Sequence, residues 1–276
     1  MEFLDFCRAH GILINNYPPM GLWRRFPTES KPHHRNGAVK FMGDIGYVCD
    51  WASGDEVHIW KSDSEVKYDR SKALKLAQEA ERKRKELQDE AARKARLILS
   101  ECQIAKHPYL EKKGFPDEQG YVWRTDKGLI LVIPMRIGRN LVGCQMIDEA
   151  GEKKFLYGQR TGMAQHIFDA KGPDILCEGF ATALSVKAAL KALKRPYTLH
   201  VCFSAGNMVK VAASLPGGYV VADNDASQTG QEAAKKIGWP CYVPPNVGDD
   251  FNDHAIKVGA FRASRDLLKM FTASGP

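Results

Sequence analysis

From residue 173 onward, short apolar runs alternate with helix-length segments, and this rhythm constrains the fold more than any other feature of the chain. The runs 174–177, 198–203, 218–222 and 241–243 read as strands. The segments 180–193, 208–214 and 230–237 lie between them and read as helices. Buried strands joined through helices require parallel βαβ crossovers, so residues 173–276 are expected to form an open α/β sheet. Pro244 and Pro245 end its last strand, because proline donates nothing to a ladder.

The upstream sequence has a different character. Residues 101–172 are strand-rich, with runs at 129–135 and 141–147 joined around Gly138, a third piece at 153–157, and basic residues at the turns. Residues 66–100 contain no Gly or Pro and are built from the best helix formers. Some 30 such residues make a rod of about 45 Å. Its apolar stripe is thin: Leu74, Ala77, Leu87, Ala91, Ala95 and Ile98. Two readings stay open for it, a solvated connector or a basic face that touches nucleic acid through Arg82, Lys83, Arg84, Lys85, Arg93, Lys94 and Arg96. Residues 1–65 predict a short helix near 2–10 and then a small antiparallel sheet from 38–42, 46–51 and 56–60, with Ser53, Gly54 and Asp55 at a turn. The expected division is thus 1–65, 66–100, 101–172 and 173–276.

Charge and cysteine usage narrow the classes of function. The net charge is +7. Most of it sits in 66–99, which holds 11 basic and 6 acidic residues, whereas 1–65 holds 7 and 9. Basicity this local is compatible with nucleic acid without requiring it. The seven cysteines are odd in number and form no C-x-x-C pair, which argues against a disulfide framework and a zinc ribbon and for a reducing, cytoplasmic setting. No apolar run approaches the ~18 residues of a membrane span, and the first residues lack a secretory pattern, so no membrane partner is expected.

In an open parallel sheet, ligands gather at the carboxyl ends of the strands. Here those ends are acidic: Glu178-Gly179, Asp223-Asn224-Asp225, and Asp249-Asp250 through Asp253. Each has a plain structural reading, since Asp caps helices and Glu178 precedes one. Three acidic clusters on one rim would repel one another, and a hard divalent cation relieves that repulsion. Magnesium or manganese suits such oxygen donors; zinc is not expected without clustered Cys and His. Gly179 lets the chain turn sharply and lets a phosphate approach the backbone. Asn207 and Gly206 read equally as a phosphate cradle or a helix cap.

Glu178-Gly179 followed by Asp223-Asn224-Asp225 resembles the acidic signature of TOPRIM domains, which primases, topoisomerases and some nucleases share. Flanking motifs are similar to those of bacterial-type primases carried by phages, plasmids and mobile elements. These are His107-Pro108-Tyr109-Leu110, Lys113-Gly114, Ile133-Pro134-Met135-Arg136 through Gly143-Cys144-Gln145, Gly151 to Leu156, Ser204 to Asn207, Thr229-Gly230-Gln231 and Asp250-Phe251-Asn252-Asp253. The likeness covers about 105–255. It implies a Rossmann-like parallel sheet preceded by a basic strand-rich subdomain, and a DNA-dependent nucleotidyltransferase that makes primers. It implies Glu178, Asp223 and Asp225 as catalytic residues and metal ligands, with Asp250 and Asp253 as further ligands. Arg136, Arg139, Lys154 and Arg160, with Gly179 and Asn207, would contact the nucleotide. Single-stranded DNA and nucleoside triphosphates are the implied partners. With no G-x-x-x-x-G-K-[ST] loop in the sequence, a separate helicase is a further one. The family's zinc module finds no matching ligand set, although His33, His34, Cys49 and His58 stand in that region. Trp23, Phe26, Trp51 and Trp60 there read as core residues or as stacking platforms for unpaired bases. A TOPRIM nuclease and a non-catalytic DNA- or replisome-binding module are the competing readings.

Overall fold

The computed structural model describes residues 1–51, 56–62 and 70–272. The expected turn at Ser53, Gly54 and Asp55, and residues 66–69 of the expected helix, lie outside the described residues. The chain forms two compact units, Met1–Glu86 and Leu87–Pro276.

The first unit opens with α1 (Phe3–Ala9) and continues into an antiparallel meander. Its strands are β1 (Trp23–Phe26), β2 (Gly37–Phe41), β3 (Ile45–Asp50) and β4 (His58–Lys61), in that spatial order. The strand period of two sets the core: Val39, Phe41, Val48 and Trp60 face inward onto Phe3, Cys7, Ile12 and Ile14. Gly46 is required there, because a Cβ would enter the ring of Phe3. Trp60 and Phe26 are core aromatics, while Trp23 and Trp51 are exposed.

The long helix α2 (Arg70–Glu101) crosses the boundary between the units. Its second half does more than connect. Ala91, Ala95 and Ile98 are buried against Val132, Leu141, Cys144 and Leu156, so small residues let the helix lie close on a sheet. Leu74, expected in the apolar stripe, is exposed instead.

That sheet is a second antiparallel meander, in the order β5 (Gln103–Ala105), β6 (Gly120–Thr125), β7 (Gly128–Ile137), β8 (Asn140–Asp148) and β9 (Lys153–Phe155). A short helix, α3 (Pro108–Lys112), follows β5, capped by His107, whose Nδ1 accepts the Tyr109 N–H. Alternate residues of the meander serve two cores. Val132 and Cys144 face α2; Leu131, Ile133 and Ile147 join the large core of the C-terminal sheet.

The C-terminal sheet contains β10 (His166–Asp169), β11 (Asp174–Cys177), β12 (Thr198–Val201), β13 (Tyr219–Val221) and β14 (Cys241–Tyr242), in the order β10-β12-β11-β13-β14. All neighbours are parallel except β10, which runs antiparallel to β12. The helices are α4 (Phe180–Ala192), α5 (Ala205–Ala212), α6 (Thr229–Ile237), α7 (Phe251–Val258) and α8 (Ala260–Thr272). Ile175 and Cys177 pack with residues of α4, α7 and α8, and Leu176 packs with α5 and α6, as a sheet covered on both faces demands. The sequence rhythm places these parallel elements well. It does not reveal β10, which precedes residue 173 and finds its partner 29 to 35 residues away in β12.

Candidate active site on the acidic rim

Glu178 follows the last residue of β11, and Asp223 and Asp225 follow β13. Parallel pairing in register sets Cys177 beside Val221, which brings these carboxylates onto one rim. The backbone of Asp223 lies directly under the first turn of α6: a Cβ at Gly230 would stand 2.8 Å from the Asp223 carbonyl oxygen. Asn224 clamps the loop. Its Nδ2 donates to the Pro244 carbonyl at 2.8 Å, and its Oδ1 accepts from Gln231 at 2.7 Å. Its backbone N–H donates to the Asp249 carbonyl, and its own carbonyl accepts the Gly248 N–H.

The electrostatics single out Asp223. Burial first, then Glu178 and Asp250, push its carboxyl up from 3.8 to about 7; Lys153 opposes this and Asp225 adds to it. Its Oδ1 is buried without a hydrogen-bond partner. A buried orphan oxygen costs stability unless something binds it. Glu178 is also raised, by burial and by Asp225, against Lys153 and a hydrogen bond from the Ala205 N–H at the start of α5. Beneath them, burial raises Cys177 and Cys202 well above the ordinary thiol range, so both remain neutral and add no charge.

The remaining expected residues are placed as follows. Asp225 Oδ1 accepts from Ser227 Oγ and the Thr229 N–H, so it also anchors the start of α6. Asp250 and Asp253 form a reciprocal capping box at α7, and Asp253 is 3.5 Å from Lys113 Nζ. Asp249 pairs with Lys257 and Asn246, which hold its carboxyl below the usual range. Arg136 is exposed; its backbone pairs with Gln165 in both directions, and its Nη1 donates to the Arg139 carbonyl at 3.3 Å. Because β10 is antiparallel, its first residue His166 pairs with Val201 at the carboxyl end of β12, so Arg136 lies towards the same rim. Arg139 and Arg160 are exposed. In α2, Arg82, Lys83, Arg84, Lys85, Arg93, Lys94 and Arg96 are all exposed; Arg82 pairs with Glu86 and Arg84 with Glu81.

Three details depart from the sequence reading. Asn207 is buried, and its amide is consumed within the chain: Nδ2 donates to the Ala164 and Cys202 carbonyls and Oδ1 accepts the Met163 N–H. It holds the 163–164 loop and has no donor left for a phosphate. Gly179 has φ −97° and ψ 153°, an extended conformation open to any residue, and a methyl there would meet only Thr182 Oγ1 at 3.4 Å. The turn therefore does not require glycine. Lys154 lies on the face of β9 that lines a cavity of about 480 Å³ with Trp123 and Met146, while its neighbour Lys153 faces Glu178 and Asp223. The period of two along a strand carries the signal that separates these lysines.

All-oxygen donors with mutually raised carboxyls suit a hard divalent cation. The orphan Oδ1 of Asp223 is an acceptor waiting for such a partner. As the side chains stand, no three His, Cys, Asp or Glu side chains among the described residues close around one ion. A magnesium ion keeps several of its waters and needs only one or two carboxylates, so a closed cage of three is not required.

A doubly wound, mostly parallel sheet with carboxylates at its carboxyl edge defines a Rossmann-like α/β domain. More particularly, residues 174–260 match the family described as the Toprim domain. The chain thus carries a Toprim domain over just under a third of its length. No curated protein matches the chain. Among solved structures, it is similar to a chain in the bacteriophage T7 lagging-strand DNA polymerase interacting with primase domains of two gp4 subunits bound to an RNA/DNA hybrid and dTTP. The identity is 14%, over 63% of this chain and 94% of that one, with a TM-score of 0.44. No helix among the described residues is long and apolar enough to cross a membrane.

Proposed function

We propose that the chain is a primase, an enzyme that joins nucleotides into short primers on single-stranded DNA by metal-dependent nucleotidyl transfer. The observation that carries the reading is the buried Asp223 Oδ1, which has no hydrogen-bond partner, beside Glu178 and Asp225 on the rim of a Toprim sheet. Carboxyls raised by burial and by one another suit a phosphoryl-transfer site, which uses them to hold a cation. Primer synthesis, rather than cleavage, is favoured by the flanking motifs and by the antiparallel sheet whose core is continuous with the Toprim sheet.

In this reading Asp223, Asp225 and Glu178 hold magnesium or manganese, which supplies charge stabilisation for the triphosphate and the leaving pyrophosphate. Lys153 restrains the repulsion among the carboxylates and contacts a phosphate. Arg136, with Arg139 and Arg160, meets the outer phosphates of the nucleotide. The exposed cations of α2 contact the template backbone, and a separate helicase supplies it. In this reading the protein works on nucleic acid in the cytoplasm.

The test is incubation with single-stranded DNA, labelled ribonucleotides and magnesium or manganese. Short labelled products are expected, and they vanish in Asp223→Ala and Asp225→Ala. Full synthesis by both variants would sink the assignment of the rim. A cleaved template would convert the reading to a nuclease, and an inert, intact template to a binding module.

A further inference from the structure

The face of the N-terminal sheet turned away from its core is built like a surface for unpaired bases. Register runs straight across it: Trp23 pairs with Lys40, Lys40 with Tyr47, and Tyr47 with Ile59. Residues paired in a ladder share a face, so these four side chains form one row. The row opposes the core residues Val39, Val48 and Trp60, each one position along its own strand, and therefore points away from the core. Trp23 is 49% exposed and Ile59 56%. The rings of Trp23 and Tyr47 are 6.2 Å apart. Two residues along β1, on the same side, Arg25 lies over the ring of Trp51 at 5.5 Å, and Trp51 is 49% exposed. Lys61, two residues beyond Ile59, adds a further cation.

Three aromatic rings interleaved with Arg25, Lys40 and Lys61 do not resemble an ordinary solvated sheet face. Large exposed aromatics carry a solvation cost that a monomer avoids unless they meet a partner. At the outward positions of β1–β4, among the described residues, there are cations and no carboxylate, although 1–65 as a whole has more acid than base. Three of the seven basic residues of 1–65 thus stand where the aromatics are, with no acid among them. Rings that present flat faces between cations suit bases with phosphates running beside them, and only unpaired bases offer their faces.

We infer that this face binds single-stranded DNA, with bases stacking on Trp23, Tyr47 and Trp51 and phosphates held by Arg25, Lys40 and Lys61. Specific base recognition is not part of the inference, because stacking is tolerant of sequence. The choice of DNA rests on the primase reading; the surface itself does not involve the acidic rim. It also assigns a task to residues 1–65 without a zinc-ligand set.

The experiment is a fluorescence anisotropy titration of labelled oligo(dT) with the full chain at low salt, with tryptophan quenching as a second readout. Wild-type protein is expected to bind, and duplex DNA of equal length to compete poorly. Trp23→Ala and Tyr47→Ala should each weaken binding roughly 5- to 100-fold. Trp23 is half exposed, and circular dichroism establishes that the variants fold. Lys40→Glu with Lys61→Glu provides an arm independent of the aromatics: it should lower affinity and flatten the salt dependence, by roughly 0.7 in slope per lost contact. Unchanged affinity in both aromatic variants and in the charge pair would overturn the inference, even if the enzyme makes primers. Binding lost in these variants, from a wild-type protein that makes no primers, would sustain the face and remove the catalytic reading instead.

Discussion

Replacing Asp223 with Asn should make the protein more stable above neutral pH while abolishing its activity. The carboxyl of Asp223 is lifted from 3.8 to about 7 by burial and by Glu178, Asp250 and Asp225. A carboxyl raised on folding resists ionisation in the folded state, so it opposes folding wherever the unfolded chain has already lost the proton. Below about pH 4 both states are protonated and the penalty is absent. Between about pH 4 and 7 it grows with pH, and above 7 it is fully present. At about 1.4 kcal/mol per pH unit, the gap between 3.8 and about 7 corresponds to a limit of about 4 kcal/mol. The rim is partly open to water, so about 2–4 kcal/mol is expected. For a unit the size of Leu87–Pro276 that is a rise in Tm of roughly 4–16 °C. The assay is thermal unfolding of wild type and Asp223→Asn at pH 4, 6 and 8 in chelator. The two curves should converge at pH 4 and separate towards pH 8, with the variant higher. Magnesium at pH 8 should raise the wild-type Tm and move the variant much less, because a cation and the neutral amide relieve the same repulsion. A variant that is equal to or less stable than wild type at pH 8 would refute the reasoning. So would a gap that does not depend on pH.

Other substitutions test neighbouring parts of the argument. Lys153→Met removes the cation that lowers both Glu178 and Asp223, so the acid limb of the primer-synthesis pH profile should move to higher pH, whereas Lys154→Met should leave it in place. Asn207→Ala deletes three hydrogen bonds and strips the Ala164 and Cys202 carbonyls and the Met163 N–H of this partner; denaturant titration should register a loss of about 3 kcal/mol. Ala95→Glu places a charge in the packed seam between α2 and the antiparallel sheet and should cost more than about 3 kcal/mol, while exposed Arg93→Ala should stay within about 0.5 kcal/mol on the same titration.

The parallel elements were legible because their strands are buried on both faces and separated by helices, which leaves a strong pattern in a single sequence. β11, for example, is the run Asp174–Cys177 that its apolar content marks. β10 was not legible, since an antiparallel edge strand is defined by a distant partner and its own four residues alternate only weakly. The acidic segments were visible as residues. Their division of labour was not, because a capping Asp and an orphaned Asp look alike in sequence. Asp250 and Asp253 cap α7, and Asp225 ties down the start of α6, while Asp223 has an oxygen with no hydrogen-bond partner. The stripe of helix 66–100 looks thin in sequence because Ala seldom signals burial, yet Ala91 and Ala95 are what admit the sheet.

The main-chain bonds that join Asn224 to Gly248 and Asp249 have a consequence for how the rim tolerates change. Two acidic segments, separated by a helix and a strand, are fastened into one piece before any ligand arrives. The 244–249 loop is consequently not a free surface loop, where insertions are usually absorbed. A residue added there would be transmitted through Asn224 to Asp223. Variation in length should accumulate instead in loops whose main chain is not bonded to the acidic segments.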